Sequence, residues 1–197
     1  MTQKQAALAA IEEKKDLVCH VADQIWEYAE LAYHETRSAD LLCQILKDEG
    51  FSVTTGDAGI PTCFTGTFSY GSGKPVMGIL GEYDALSSLS QKAASPRKEP
   101  VEAGAPGHGC GHNLFGAMSA LAAASLKQVV DAVGGEIRVY GTPGEEGGEN
   151  GSAKGSFVRE GFLKDVDAAL CVHPIGGKSL VTAPSLGCAP VDIEFWG

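Results

Sequence analysis

The sequence predicts an α/β fold with a largely parallel, mixed sheet flanked by helices. Three observations lead there. Two N-terminal segments carry the apolar period of helices, short apolar runs alternate with helical runs from about residue 75 onward, and the junctions between them are rich in glycine and ligand-type side chains.

Residues 3–31 place Leu8, Ile11, Val18, Ala22, Ile25 and Ala29 on one face, with Glu and Lys opposite, which predicts one long amphipathic helix. A second helix is predicted over 38–49, where Leu41, Leu42, Ile45 and Leu46 form the stripe and Gly50 stands at the C-terminal cap. The period then shortens, and 51–54, 62–69 and 75–80 read as strands. The turn-forming Tyr70-Gly71-Ser72-Gly73-Lys74 predicts a hairpin between the last two. Residues 87–107 lack periodicity and read as a long functional or mobile loop. Small and apolar residues over 113–132 (Leu114, Ala117, Met118, Leu121, Ala122, Leu126) suit a helix packed closely on a sheet. Gly134-Gly135 separates it from a strand at 136–140. A short helix at 153–160 and a buried strand at 168–172 continue the alternation. Residues 190–197 read as a strand ending in mid-pattern at Trp196-Gly197, so that a continuation is expected.

At 197 residues, 44% of them hydrophobic, the chain can bury one substantial core. Its formal charge of −10, from 25 acidic and 15 basic residues, repels polyanions and anionic lipid surfaces, so neither nucleic acid nor membrane is an expected partner. No apolar run reaches the ~20 residues that cross a bilayer, and the first twenty residues carry charges where a signal peptide needs an apolar stretch. With six cysteines and no CxxC pair, these features point to reduced thiols and a cytoplasmic protein.

Four clusters fall at predicted strand ends or helix starts. In Gly107-His108-Gly109-Cys110-Gly111-His112-Asn113, residues two apart project to one side, so a thiolate and an imidazole can share a metal region; a glycine-rich turn with a buried Cys is the plainer reading of that triplet alone. Gly144-Glu145-Glu146-Gly147 follows the 136–140 strand. Adjacent carboxylates point in different directions, so one can bind metal while the other faces substrate as a general acid/base, although an acidic pair in a loop is usually only a solvated surface. His173 closes the 168–172 strand, where a histidine is more often packed or capping. Glu82 and Asp84 end the 75–80 strand two residues apart, hence on one side. Each plain reading is reasonable singly, but four such coincidences at one kind of position are not. His20 and His34 lie on or beside the first helix, away from these edges, and are assigned structural roles.

Together, Gly81-Glu82-Tyr83-Asp84-Ala85-Leu86, Pro106 to Leu114, Thr142 to Gly148 and His173-Pro174 resemble the M20 family of metallopeptidases and amidohydrolases, in particular its amidohydrolase branch, over nearly the whole chain. The resemblance implies a zinc-exopeptidase-like catalytic domain lacking its C-terminal part. It implies that Cys110, His112, Glu146 and His173 bind two divalent metal ions, with zinc or manganese the leading candidates, that Glu145 is the general base, and that Asp84 orients a ligand from behind. The implied reaction is hydrolysis of the amide bond of small N-acyl amino acids or dipeptides, such as p-aminobenzoyl-glutamate, in a full-length homodimer or hetero-oligomer.

Three departures stand beside the resemblance. Glu82 replaces a metal-binding His or an Asp, and Asn113 replaces an Asp, although the aminobenzoyl-glutamate subgroup resembles this chain at both positions. The family is also longer, with a lid and dimerisation domain followed by a further His ligand. On this view residues 1–187 are the N-terminal part of the catalytic domain, and 188–197 are the first strand of the lid. Two classes of function are therefore open: a metal-dependent hydrolase, or a non-catalytic remnant acting as a binding or assembly module.

Overall fold

A computed structural model describes residues 1–147, 151–177, 179 and 194–195. Apart from residues 194–195, the expected strand at 190–197 lies outside the described residues, as do the expected boundary at 188 and Cys188.

The predicted long N-terminal helix is two helices, α1 (Gln3–Glu13) and α2 (Lys15–Tyr28), separated at Lys14. No glycine or proline marks the break. Lys14 leaves helical geometry at φ −99°, ψ 2°, and its ammonium reaches Glu49 at 2.5 Å. Ala7 and Ala10, not the bulkier Leu8 and Ile11, are the buried residues of α1, so the predicted stripe is corrected there; Val21, Ala22 and Ile25 are buried in α2 as its period requires. Helix α3 (Thr36–Asp48) buries Leu42, Cys43, Ile45 and Leu46. It ends as predicted at Gly50, where φ is +86°. The Gly50 N–H bonds the Lys47 carbonyl and the Phe51 N–H the Leu46 carbonyl, which satisfies the last turn and turns Phe51 into the core.

The strands β1 (Ser52–Thr55), β2 (Phe64–Tyr70), β3 (Val76–Gly81), β4 (Gly135–Gly141) and β5 (Ala168–Cys171) form one sheet in the order β1-β2-β4-β3-β5. β4 runs parallel to β3 and antiparallel to β2, β1 is antiparallel to β2, and β5 is parallel to β3, so β2 alone runs against the other four. The predicted β2–β3 hairpin is therefore wrong: β4 lies between these strands. The turn after Tyr70 is long enough to bridge two strand spacings of ~4.8 Å. β4 enters beneath it, with the Glu136 N–H bonded to the Pro75 carbonyl. Strand β5 is also corrected. Although its sequence is apolar, all four residues are exposed; among the described residues β5 is the outermost strand beside β3, and it lacks the helical cover that α4 gives β3 and β4.

Helix α4 (His112–Val133) lies between the sheet and the N-terminal helices, and its buried residues Phe115, Ala117, Ala120, Leu121, Ala123 and Ala124 serve both faces; Leu114, predicted to be buried, is exposed. Its approach to β3 is close enough to exclude side chains. A Cβ on Gly116 would stand 2.8 Å from the Glu82 carbonyl, and one on Gly81 would stand 3.1 Å from the Ser119 Cβ. Ser119 donates to the Leu80 carbonyl at 2.8 Å in the same contact. The backbone-to-backbone fit brings the first turn of α4 against the residues that follow β3. Helix α5 (Ala153–Arg159) then packs Ala153 and Phe157 against Tyr140 of β4, and residues 87–107 form the irregular loop that the sequence predicts. Among the described residues, no helix is long and apolar enough to cross a membrane.

Candidate metal centre

The parallel strands β3, β4 and β5 point the same way, so the residues that follow them meet at one edge of the sheet, where α4 begins. Glu82 and Asp84 arrive from β3, Glu145 and Glu146 from β4, His173 from β5, and Cys110 and His112 from the start of α4.

His112, fully buried, stands at the middle of the group. Its Nδ1–H donates to Asp84 Oδ1 at 2.9 Å, with the Asp84 carbonyl at 3.2 Å, which sets the tautomer and leaves Nε2 for the site. Around Nε2 lie Glu82 Oε2 at 2.9 Å and one oxygen each of Glu145 and Glu146 at 3.9 Å. The Glu82 oxygen is close, yet both it and His112 Nε2 are buried without a hydrogen bond among the described residues. The second Asp84 oxygen accepts from the Glu146 N–H at 2.9 Å and ties the β4 loop to the same histidine. Asp84 thus lies behind His112, between its ring and the β4 loop.

The outer half is formed by Cys110 and His173. Cys110 Sγ lies 3.4 Å from His173 Nε2, and His173 Nδ1–H donates to the Pro174 carbonyl at 2.6 Å, so this ring also turns Nε2 inward. The two imidazoles meet edge to face with centroids 5.4 Å apart. Donor atoms of Cys110, His112 and His173 lie within 4.8 Å of one another, as do those of Glu82, His112 and Glu145. His20 and His34 are exposed and belong to neither group. His108 turns away from the centre: its Nε2–H donates to the Ile25 carbonyl at 2.9 Å, and burial pushes its pKa down to about 4. Asn113 likewise bonds the Ala22 carbonyl, so the motif is pinned to α2 on one side and faces the centre on the other.

These residues fit divalent cations in spacing and in charge. Two donors on one tetrahedral ion stand about 3.3–3.8 Å apart for bonds of ~2.0–2.3 Å, and the separations of 2.9, 3.4 and 3.9 Å bracket that distance. Among the described residues four carboxylates crowd the edge, with Lys154 beside them; it pairs with Glu82 and lies 4.0 Å from Glu145. Burial would lower the His112 pKa, but Asp84 and Glu82 outweigh it and push the imidazole up to about 10. Burial, then Glu146, pushes the Cys110 thiol up to about 12, and burial, then Glu82, raises Glu145. Added positive charge would relieve each of these groups. Sequence pattern alone assigns neither Glu82 nor Lys154 to the site. Glu82 carries a signal, as half of a carboxylate pair at a strand end, whereas Lys154 comes from α5 with no motif around it.

The fold and this edge define a class of protein. The chain belongs to peptidase family M20/M25/M40, whose profile its residues 78–195 match. It is 46% identical over 190 residues to a subunit of the p-aminobenzoyl-glutamate hydrolase of Escherichia coli K12, a match covering 95% of this chain and 38% of that protein. A crystal structure of a Staphylococcus aureus protein described as an aminohydrolase superposes with a TM-score of 0.71 at 25% identity, over 87% of this chain and 42% of that one. YxeP of Bacillus subtilis, described as a dinuclear metal-binding peptidase of the M20 family, shares the fold with a TM-score of 0.67 at 21% identity, over 80% of this chain and 42% of its own. The chain spans about two fifths of the length of these relatives.

Proposed function

We propose that the chain carries the metal-binding and proton-transferring part of a cytoplasmic amidohydrolase that cleaves small N-acyl amino acids or dipeptides of the p-aminobenzoyl-glutamate type. On this reading residues 1–187 are the N-terminal part of the catalytic domain, residues 188–197 open a lid domain, and the full-length enzyme is a homodimer or hetero-oligomer. The observation that carries the reading is the convergence of Cys110, His112 and His173, from separate parts of the chain, with donor atoms within 4.8 Å. The 46% identity to the Escherichia coli protein supports the substrate class. The free thiols of Cys19, Cys43, Cys63, Cys110 and Cys171 suit a reducing compartment.

Cys110, His112, Glu146 and His173 would hold two divalent ions, zinc or manganese. Such ions supply Lewis acidity towards an amide carbonyl and acidify water. Asp84 keeps the His112 tautomer and, through the Glu146 N–H, the register of the β4 loop. Glu145 lies between buried and exposed surroundings. It takes the proton of the attacking water and returns it to the leaving amine nitrogen, a double role favoured by the raised pKa that burial and Glu82 give it.

The adjacent glutamates test this division. Glu145→Gln cannot accept the water proton, and turnover of p-aminobenzoyl-glutamate by the full-length enzyme is expected to fall by about 10²–10⁴-fold with metal content unchanged. Glu146→Gln is expected to lower metal content and to regain part of its activity in excess metal. Metal analysis beside a rate assay decides it: the opposite pattern reverses the two roles, and two active, metal-loaded variants remove the mechanism.

A further inference from the structure

The loop that carries Glu145 and Glu146 belongs to no helix or strand, yet both backbone N–H groups flanking Glu145 are tied to buried carboxylates. On one side, the Glu146 N–H donates to Asp84 at 2.9 Å. On the other, the Gly144 N–H donates to Glu35 Oε1, also at 2.9 Å. Glu35 precedes α3 and is 0% exposed. Its second oxygen accepts from the Thr62 hydroxyl at 3.3 Å, and the Thr62 carbonyl accepts from the buried Tyr83 hydroxyl at 2.6 Å.

Two residues upstream, Tyr33 lies across Gly144. A Cβ at Gly144 would stand 2.6 Å from the nearest ring atom, and its φ of +64° also favours glycine. The Tyr33 hydroxyl donates to the Gly151 carbonyl, beyond the glutamates. One short segment therefore grips the loop before and after its two carboxylates. A carboxylate is costly to bury, and the partners of this one are a hydroxyl and the amide next to Glu145.

We propose that Glu35 is a positioning residue for the Glu145–Glu146 loop, with Tyr33 closing the same clamp from above. Its functional meaning rests on the hydrolase reading given above. Asp84 and Glu35 form a pair in this role: one acid fixes the amide after Glu145, the other the amide before it. Without the second anchor, the loop can rotate about the first, and both glutamates leave the edge of the sheet.

Amide hydrogen exchange followed by NMR, with Mn²⁺ titration of the same chain, tests the clamp. Glu35→Ala is expected to speed exchange at Gly144 at least tenfold and to weaken Mn²⁺ binding about tenfold, leaving the α4 core amides protected. Glu35→Gln keeps an acceptor oxygen in place and should restore both to within about threefold. Glu35→Asp keeps the charge but falls one methylene short, so it should behave like Ala and serves if the Ala variant does not fold. Unchanged Gly144 exchange in the Ala or Asp variants overturns the proposal. So does an equal loss of protection throughout α4, which makes Glu35 a core residue, or faster Gly144 exchange with unchanged Mn²⁺ affinity, which makes the clamp irrelevant to the glutamates. If the unaltered chain binds neither Mn²⁺ nor Zn²⁺, the metal-binding role given to it above fails by itself, and the clamp is then decided by Gly144 exchange alone.

Discussion

The two histidines of the centre occupy opposite surroundings. His112 begins a helix packed on two sides, is fully buried, and has a carboxylate near each ring nitrogen. His173 ends the edge strand, is exposed, and meets the site through Cys110 and the edges of the His112 and Phe115 rings. The inner half is thus a product of core packing: whatever folds α4 onto β3 also places His112, Asp84 and Glu82. The outer half is held by few contacts, so its geometry depends far more on what it binds.

The contrast can be broken most forcefully at His112. In chelator-treated protein, His112→Ala leaves the buried Asp84 and Glu82 carboxylates without their shared partner, and losing one member of such a buried group costs about 3–5 kcal/mol. A fall of about 10 °C in the melting midpoint, followed by circular dichroism, is expected. If the variant melts with the unaltered chain, the inner half is not built into the core.

A smaller effect is expected from pH. Asp84 and Glu82 outweigh burial to hold folded His112 near pKa 10, above the ordinary imidazole value of about 6.5. The folded state therefore binds the extra proton between these values. The stabilisation is fully present below about pH 6.5 and is lost as pH rises through 10. Glu35, which burial raises to about 7 from the ordinary carboxyl range, acts with the same sign at lower pH, because its folded form also holds the proton longer. Urea midpoints of chelator-treated protein should decline from pH 6 to pH 10. The loss stays below that of His112→Ala, since a neutral ring still donates Nδ1–H to Asp84. A midpoint that rises over this range, or a decline of equal slope in His112→Ala, removes His112 as its source.

The same division explains what the sequence made legible. Ligand-type residues at strand ends announced themselves, because parallel strands bring their carboxyl ends to one edge whatever their order in the sheet. The order itself was hidden: a five-residue turn bridges adjacent strands or strands one apart equally well, and only the insertion of β4 between β2 and β3 decides it. The break at Lys14 was hidden for a similar reason, since the apolar stripe keeps its phase across it and no helix-breaking residue is present. An apolar strand reads as buried on pattern alone, whereas burial depends on what covers the faces of the sheet, and β5 is exposed. Glu35 and Lys154 could not be found by motif, because their role comes from contacts with the Gly144 amide and Glu82, more than seventy residues away in each case.

The smallest expected effect on the fold, and the sharpest test of the contrast, is His173→Ala. The ring is exposed, its Nδ1–H serves the adjacent Pro174 carbonyl, and its neighbours Cys110 and Phe115 keep other contacts, so stability should change by no more than about 0.5 kcal/mol. Metal binding should respond differently. His173 Nε2 is one of three donors in the outer group, and because Cys110 Sγ is 3.4 Å from it, removing the imidazole leaves a thiol that burial and Glu146 already push up to about 12. A thiol so hard to ionise is a poor ligand on its own, so Zn²⁺ affinity measured by calorimetry should drop at least tenfold while the melting curve in chelator stays in place. Should His173→Ala destabilise the chelated protein as much as His112→Ala, the two halves are one structural unit and the contrast disappears. Should Zn²⁺ bind the variant as tightly as the unaltered chain, His173 is no ligand, and the centre is confined to the buried carboxylates around His112.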